Sequence, residues 1–81
     1  MSKDVDKSGW IYGEPTTGVV VRTVHDRGFV FVRAGEVDYF LHFSDYADGE
    51  FLKLTEKTEV SFTPVQTPTK GPRAVHAERV R

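Results

Sequence analysis

Aromatic rings beside basic residues are the side chains of this chain whose types and spacing suggest a chemical function. Phe29 and Phe31 lie two positions apart, and Phe40 and His42 repeat that spacing further along. Flat rings next to arginine and lysine suit unpaired nucleobases, because each base gains about 1–3 kcal/mol by stacking on a ring while the cations contact the phosphates. The pattern therefore points to a single-stranded nucleic acid as the ligand.

Other kinds of chemistry find no support in the sequence. There is no cysteine, so neither a thiol nucleophile nor a thiolate metal site is available. The three histidines are scattered, the motifs His-Glu-x-x-His and Gly-x-x-x-x-Gly-Lys are absent, and nothing places two carboxylates in one pocket. We expect a protein that is not an enzyme and that has no metal site, no cofactor and no small-molecule substrate.

The length and charge of the chain limit its organisation and its partners. With 81 residues it forms at most one small domain. Its 11 basic and 12 acidic side chains give a net charge of −1, so only a local concentration of cations can favour nucleic acid, and residues 70–81 are predominantly basic. No apolar run reaches the ~18 residues of a membrane span, and no signal-peptide core is present. We expect a cytoplasmic monomer that does not associate with membranes.

The elements that must position these residues are strands. β-branched and aromatic residues concentrate in five segments separated by glycine, proline and charged residues. Because Pro64 cannot donate to a ladder, we expect it at a sheet edge or a strand end. Only residues 44–58 leave room for a helix, and a short one. The pattern predicts an all-β fold, a small closed or partly closed barrel. The predicted strands are residues 18–24, 29–32, 38–43, 59–65 and 74–80.

The second predicted strand is apolar on both faces, and so short a chain cannot cover both faces of several strands. We expect Val30 and Val32 to fill the barrel interior. Phe29 and Phe31 then project outward, with the rings of the third strand beside them. An exposed aromatic patch of this kind usually marks a binding site.

Three motifs in this order resemble the bacterial cold-shock domain. Arg-Gly-Phe-Val-Phe at residues 27–31 is similar to its first ribonucleoprotein motif, Lys/Arg-Gly-Phe-Gly-Phe. Tyr-Phe-Leu-His-Phe at residues 39–43, followed by Ser44, is similar to its second, Val-Phe-Val-His-Phe. Lys-Gly-Pro at residues 70–72 matches the tripeptide before its last strand. The resemblance implies a five-stranded antiparallel OB-fold barrel that binds single-stranded RNA or DNA, with an RNA-chaperone or regulatory role.

Together, the residues and the resemblance predict a set of nucleic-acid contacts. Phe51 falls where the family carries another stacking aromatic, although Phe43 and Phe51 could equally close the edge of the barrel. Lys53 is a further candidate for phosphate contact. Lys70 and Arg73 either contact phosphates or are simply solvated loop charges. The predicted binding residues are Arg22, Arg27, Phe29, Phe31, Phe40, His42, Phe43, Phe51, Lys70 and Arg73.

The chain also departs from the family pattern. The family's first strand reads Lys-Trp-Phe-Asn, and residues 21–24 align with it, so that Arg22 and Thr23 replace two stacking rings. Val30 replaces the second glycine of the first motif, and Lys57 replaces the usual loop glycine. The missing tryptophan and the near-neutral charge favour an alternative function, a protein-interaction module on the same barrel with weakened nucleic-acid binding.

We divide the chain into an N-terminal extension, residues 1–17, and a cold-shock-like domain, residues 18–81. The first eight residues are polar, lack any period and are expected to be disordered. Our hypothesis for residues 9–13 is that they fold back onto the barrel. Trp10 then either closes an open edge or replaces the missing stacking ring. The alternative is a disordered tail with an incidental aromatic residue.

Overall fold

The computed structural model describes residues 9–47 and 49–80, and six β-strands make up most of them. The predicted disorder of the first eight residues lies outside this range. Within the described residues there is no α-helix, only three short 3-10 turns at His25–Arg27, Phe43–Asp45 and Phe51–Lys53. The all-β prediction is confirmed. The strands are β1 (Ile11–Tyr12), β2 (Thr16–Val24), β3 (Phe29–Ala34), β4 (Val37–His42), β5 (Glu59–Thr67) and β6 (Gly71–Arg79).

Five of these strands close into a barrel, as predicted. β2 pairs antiparallel with β3 and β5, β3 with β4, and β5 with β6. The barrel closes where β4 and β6 pair in parallel at Phe40 and Arg73. A second parallel bridge joins Tyr46, just after β4, to Ala77 of β6. β1 lies outside the closed circle and pairs antiparallel with β5. The first barrel strand therefore begins at Thr16, two residues before the predicted start.

Alternation along the strands separates the core from the outer face. Val30, Val32 and Leu41 are fully buried, as are Val60 and Phe62. Phe29 and Phe31 lie on the opposite side of β3 and stay partly exposed. The expectation that the valines fill the interior and the phenylalanines face outward is confirmed. Val30, which stands in place of the family's glycine, adds its volume to this core.

A β-bulge in β2 decides which way Arg22 faces. Val20 pairs with Val32 and is buried, but the register then shifts so that Arg22 pairs with Phe31. In a regular strand, residues two apart share a face, so Arg22 would follow Val20 into the core. The extra residue at the bulge reverses this alternation and places Arg22 on the outer face.

The prediction that Pro64 marks an edge or a strand end is wrong. Pro64 lies inside β5 and faces Ala74 of β6. On its other side, the Gly13 N–H donates to the Pro64 carbonyl at 2.8 Å. The N–H and C=O of a strand residue point to the same side. The bond that proline cannot make is therefore the one from its own nitrogen to the Gly13 carbonyl, and Gly13 lies just beyond the end of β1.

The chain between β5 and β6 is shorter than predicted. The predicted strands leave residues 66–73 between them, but the connection is a turn of three residues, because Gly71 and Pro72 already pair with β5. Arg73 thus lies in a strand rather than in a loop. At the other end of the barrel, the predicted third strand ends at His42, and Phe43 begins a 3-10 turn.

Among the residues that the structure describes, no helix has the length and apolar character needed to cross a membrane.

Candidate nucleic-acid interface

The register of the sheet aligns predicted binding residues in rows across the outer face. Arg22 pairs with Phe31, Phe31 with Phe40, and Phe40 with Arg73, so one row crosses β2, β3, β4 and β6. Phe29 and His42 form a neighbouring pair. Directly opposed residues in a sheet project from the same face, so all of these side chains share one surface.

The rings on this surface form a continuous cluster. Ring centroids lie 4.9 Å apart for Phe29 and Phe40, 5.7 Å for Phe29 and Phe31, and 6.0 Å for Phe31 and Phe40. The His42 ring lies 6.4 Å from Phe40 with planes 26° apart, and 4.5 Å from Phe43. These spacings are those of favourable aromatic pairs. We call these five residues, Phe29, Phe31, Phe40, His42 and Phe43, the aromatic face.

Gly28 holds the exposed end of the aromatic face in place. Phe43 is 54 % exposed, and its N–H donates to the Gly28 carbonyl at 2.9 Å. Gly28 adopts a φ of 83°, and a Cβ there would lie only 2.8 Å from Cδ2 of the Phe43 ring. The glycine of the first motif thus provides both the left-handed backbone and the space that the last ring of the second motif occupies.

Phe51 does not join the aromatic face. It is 8 % exposed and belongs to the hydrophobic core, with its ring 6.0 Å from Tyr46 and 5.5 Å from His25. Its ring centroid also lies 6.3 Å from that of Phe43. Of the two roles expected for Phe51, the structure favours the packing role, because burial leaves no ring face for a base. Phe51 instead packs in the core against the Phe43 ring.

The His42 ring has a defined orientation. The Ser44 N–H donates to Nδ1 of His42 at 3.3 Å, and the Ser44 hydroxyl lies 2.8 Å from the same nitrogen. Because a backbone N–H can only donate, Nδ1 acts as an acceptor and the neutral ring carries its proton on Nε2. The ring can therefore offer both a flat surface and one N–H donor to a ligand.

Two grooves flank the aromatic face. One of about 600 Å³ is lined by Phe31, Phe40 and His42 together with Lys70, Pro72 and Arg73 of the β5–β6 turn and β6. The other, of about 670 Å³, runs between the His25–Arg27 turn, Phe43 and the Phe51–Lys53 turn. A ligand lying along the aromatic face would enter a groove at either end.

The predicted cations differ in their surroundings. Arg22, Arg27 and Lys70 are exposed, and none of them forms an ion pair within the part of the chain that the structure describes. Lys53 lies 3.8 Å from the Glu50 carboxylate, an exposed pair of little strength. Arg22, Arg27 and Lys70 are thus available for phosphate contacts.

Arg73, in contrast, is engaged within the protein. Its Nη2 donates to Oδ2 of Asp45 at 3.1 Å, and its side chain is only 14 % exposed. Its guanidinium carbon lies 5.3 Å from the centre of the Phe40 ring, a cation–π arrangement. Of the two roles expected for it, neither a free phosphate ligand nor a solvated loop charge matches this position.

A second arginine beside the face is also neutralised. Arg33 and Asp38 pair across β3 and β4 through bonds of 2.6 and 3.1 Å. The hydrogen bond from Arg33 lowers the pKa of the Asp38 carboxyl below its ordinary value, assisted by the opposite charge. The pair is exposed, so it neutralises local charge more than it stabilises the fold.

Comparison with known proteins identifies the family. A family model described as the 'Cold-shock' DNA-binding domain matches residues 16–80. The chain belongs to the cold-shock domain family. It is 40 % identical over 62 residues to cold shock-like protein CspI of Escherichia coli strain K12, and 42 % identical over 62 residues to cold shock-like protein CspJ of Salmonella typhi. Each alignment covers 74 % of this chain and 87 % of the relative.

This cold-shock domain has site residues that the sequence did not reveal. Asp45 was not among the predicted binding residues, but it anchors Arg73 from a position 28 residues away in the sequence. Ser44 was noted only as the residue after the second motif, yet it orients His42. The motif gave a signal for Ser44, whereas only the closure of the barrel between β4 and β6 brings Asp45 to Arg73.

The departure from the family at Lys57 has a structural consequence. Lys57 adopts a φ of 79°, the left-handed region that favours glycine. Its N–H donates to the Val20 carbonyl at 2.7 Å, which holds the loop against β2. The cold-shock domain therefore keeps a glycine-type backbone at this position without the glycine.

Proposed function

We propose that this cold-shock domain binds single-stranded RNA or DNA by stacking unpaired bases on the aromatic face. The observation that carries the proposal is the continuity of five rings on one side of a closed barrel. Unpaired bases expose flat surfaces of about the same size as these rings, and each stack contributes about 1–3 kcal/mol. A duplex keeps its bases stacked on one another and so cannot use this surface in the same way.

The exposed cations complete the binding surface. Arg22 lies at the β2 end of the row that contains Phe31 and Phe40, where its guanidinium can contact a phosphate or lie flat on a base. Arg27 and Lys70 line the two grooves at opposite ends of the aromatic face. This small number of cations supports weak to moderate affinity that does not require a divalent metal.

An RNA-chaperone or a transcription- or translation-regulating role is consistent with such a surface. Rings and scattered cations contact features that every nucleotide has, so the surface favours unpaired strands over particular sequences. Holding strands unpaired is the physical requirement for a chaperone. We propose that the protein acts in this way in the cytoplasm, as a monomer and without catalysing a reaction.

The test is a fluorescence anisotropy titration with a labelled single strand and with the matching duplex. We expect clear preference for the single strand and weaker binding by Phe40→Ala. Val37→Ala is the matched control. Val37 lies on the same strand as Phe40 and is also a partly exposed apolar side chain, but its position in the alternation places it on the opposite face of the sheet. Equal affinity for duplex and single strand would exclude stacking. No binding to either would favour the protein-interaction alternative.

A further inference from the structure

The segment that precedes the barrel is fixed on it at two points. Ile11 and Tyr12 pair with Gln66 and Val65 of β5. Before them, Gly9 adopts a φ of 82° and packs so closely against Pro68 that a Cβ would lie 2.9 Å from the proline Cγ. Trp10 therefore lies between an anchored glycine and an anchored strand, and its position on the barrel is defined.

Trp10 is connected to the aromatic face by Arg73. The guanidinium carbon of Arg73 lies 5.6 Å from the centre of the Trp10 ring and 5.3 Å from that of the Phe40 ring. One planar cation thus contacts both rings. Asp45 fixes this cation by its hydrogen bond of 3.1 Å, so the two rings have a set position relative to each other.

We propose that Trp10 is an additional base-binding position, which extends the aromatic face beyond β6 and takes one further unpaired nucleobase. The inference rests on the proposed function of the aromatic face. Trp10 is partly exposed, and it is separated from Phe40 by a single cation, Arg73, which also lines the groove beside Phe40. An indole is a large flat surface of the kind on which bases stack.

Arg73 is the positioning residue of this extension. Its charge is already balanced by Asp45, so the new position gains affinity by stacking rather than by phosphate contact. Lys70 is exposed in the same groove and can contact the phosphate of the nucleotide that crosses from Phe40 to Trp10. A strand bound here would therefore occupy one nucleotide more than the five-ring face alone accommodates.

The test compares Trp10→Ala with the wild-type protein on labelled oligothymidylates whose lengths increase from about 4 to about 16 nucleotides, the range of OB-fold site sizes. We expect the variant to bind the longer strands about 5- to 150-fold more weakly, and to bind strands too short to reach Trp10 like the wild type. Ile11→Ala is the matched control, because it removes a 69 % exposed apolar side chain from the same segment. It should bind every length like the wild type.

Because Trp10 is the only tryptophan, its fluorescence reports on this position alone. We expect long strands to quench it and the shortest strands not to. A purely structural Trp10 predicts equal losses at every length and no quenching, which would overturn the inference. Wild-type affinity of Trp10→Ala at all lengths would also overturn it. If Phe40→Ala also bound normally, the proposed function itself would fail, whereas a loss with Phe40→Ala alone would remove only the Trp10 position.

Discussion

Replacing Val30 should weaken folding alone, whereas replacing Phe31 should also weaken binding, because these neighbours lie on opposite sides of β3. Val30 is fully buried, and Val30→Ala deletes two methyl groups worth about 0.8 kcal/mol each and leaves a small cavity. We expect a loss of about 2 kcal/mol in the free energy of unfolding. For a domain of this size that loss lowers the Tm by about 8–16 °C.

Phe31→Ala removes a ring whose contacts in the cluster are with Phe29 and Phe40. Aromatic pairs of this kind are worth about 0.5–1.5 kcal/mol each, so the loss of two pairs should lower stability by about 1–3 kcal/mol, below the ~3–5 kcal/mol range of a buried phenylalanine. Binding should fall by the value of one stacked base, about 1–3 kcal/mol, which corresponds to about 5- to 150-fold in Kd.

Thermal unfolding followed by circular dichroism measures the first quantity, and anisotropy titration with one labelled single strand measures the second. Val30→Ala should keep its Kd within about twofold of the wild-type value as long as the variant is folded. If Phe31→Ala loses more than about 3 kcal/mol, as a truncated buried phenylalanine does, the Phe31 ring is part of the core and does not belong to the aromatic face. If folded Val30→Ala binds as weakly as Phe31→Ala, binding does not depend on which face a residue occupies.

Two further measurements test the charges and the backbone. Three cations, Arg22, Arg27 and Lys70, are available to contact phosphates. A plot of the logarithm of affinity against the logarithm of salt concentration should therefore have a slope of about −2, which is a loss of about 20-fold between about 50 and about 200 mM salt. A slope near zero would show that these cations do not contact phosphates. Lys57→Gly should raise the free energy of unfolding by up to about 1 kcal/mol in a denaturant titration, because a left-handed backbone costs a lysine about 1–2 kcal/mol and glycine almost nothing. Lys57→Ala keeps the strained backbone and should give no such gain, and a destabilised Lys57→Gly would contradict the reasoning.

The strands and the composition of the aromatic face could be predicted because they depend on local patterns. The period of two along residues 29–32 separates the buried valines from the exposed phenylalanines, and two such strands in sequence specify a hairpin. The turn at Gly35, with a φ of 65°, fixes the register that brings Phe31 opposite Phe40. Everything needed for this part of the site lies within a short stretch of chain.

What could not be predicted depends on distant parts of the chain. Pro64 is tolerated inside β5 because β1, from the other end of the sequence, stops beside it. Arg22 faces outward only because of a bulge that the sequence of β2 does not mark. Phe51 had two equivalent local interpretations, and its burial in the closed barrel favours the packing role. For Pro64 and Phe51 the deciding partner is remote in sequence, so no local pattern records it.

The distribution of charge supports stacking as the main source of affinity. Two of the arginines near the aromatic face, Arg33 and Arg73, are each held by a carboxylate, so the surface carries fewer active cations than its composition implies. In the proposed mechanism the rings then supply most of the binding free energy, and rings need unpaired bases. Under this proposal a barrel of nearly neutral charge still distinguishes single strands from duplexes, because stacking provides the selectivity, while weak electrostatic attraction limits nonspecific binding to any phosphate backbone.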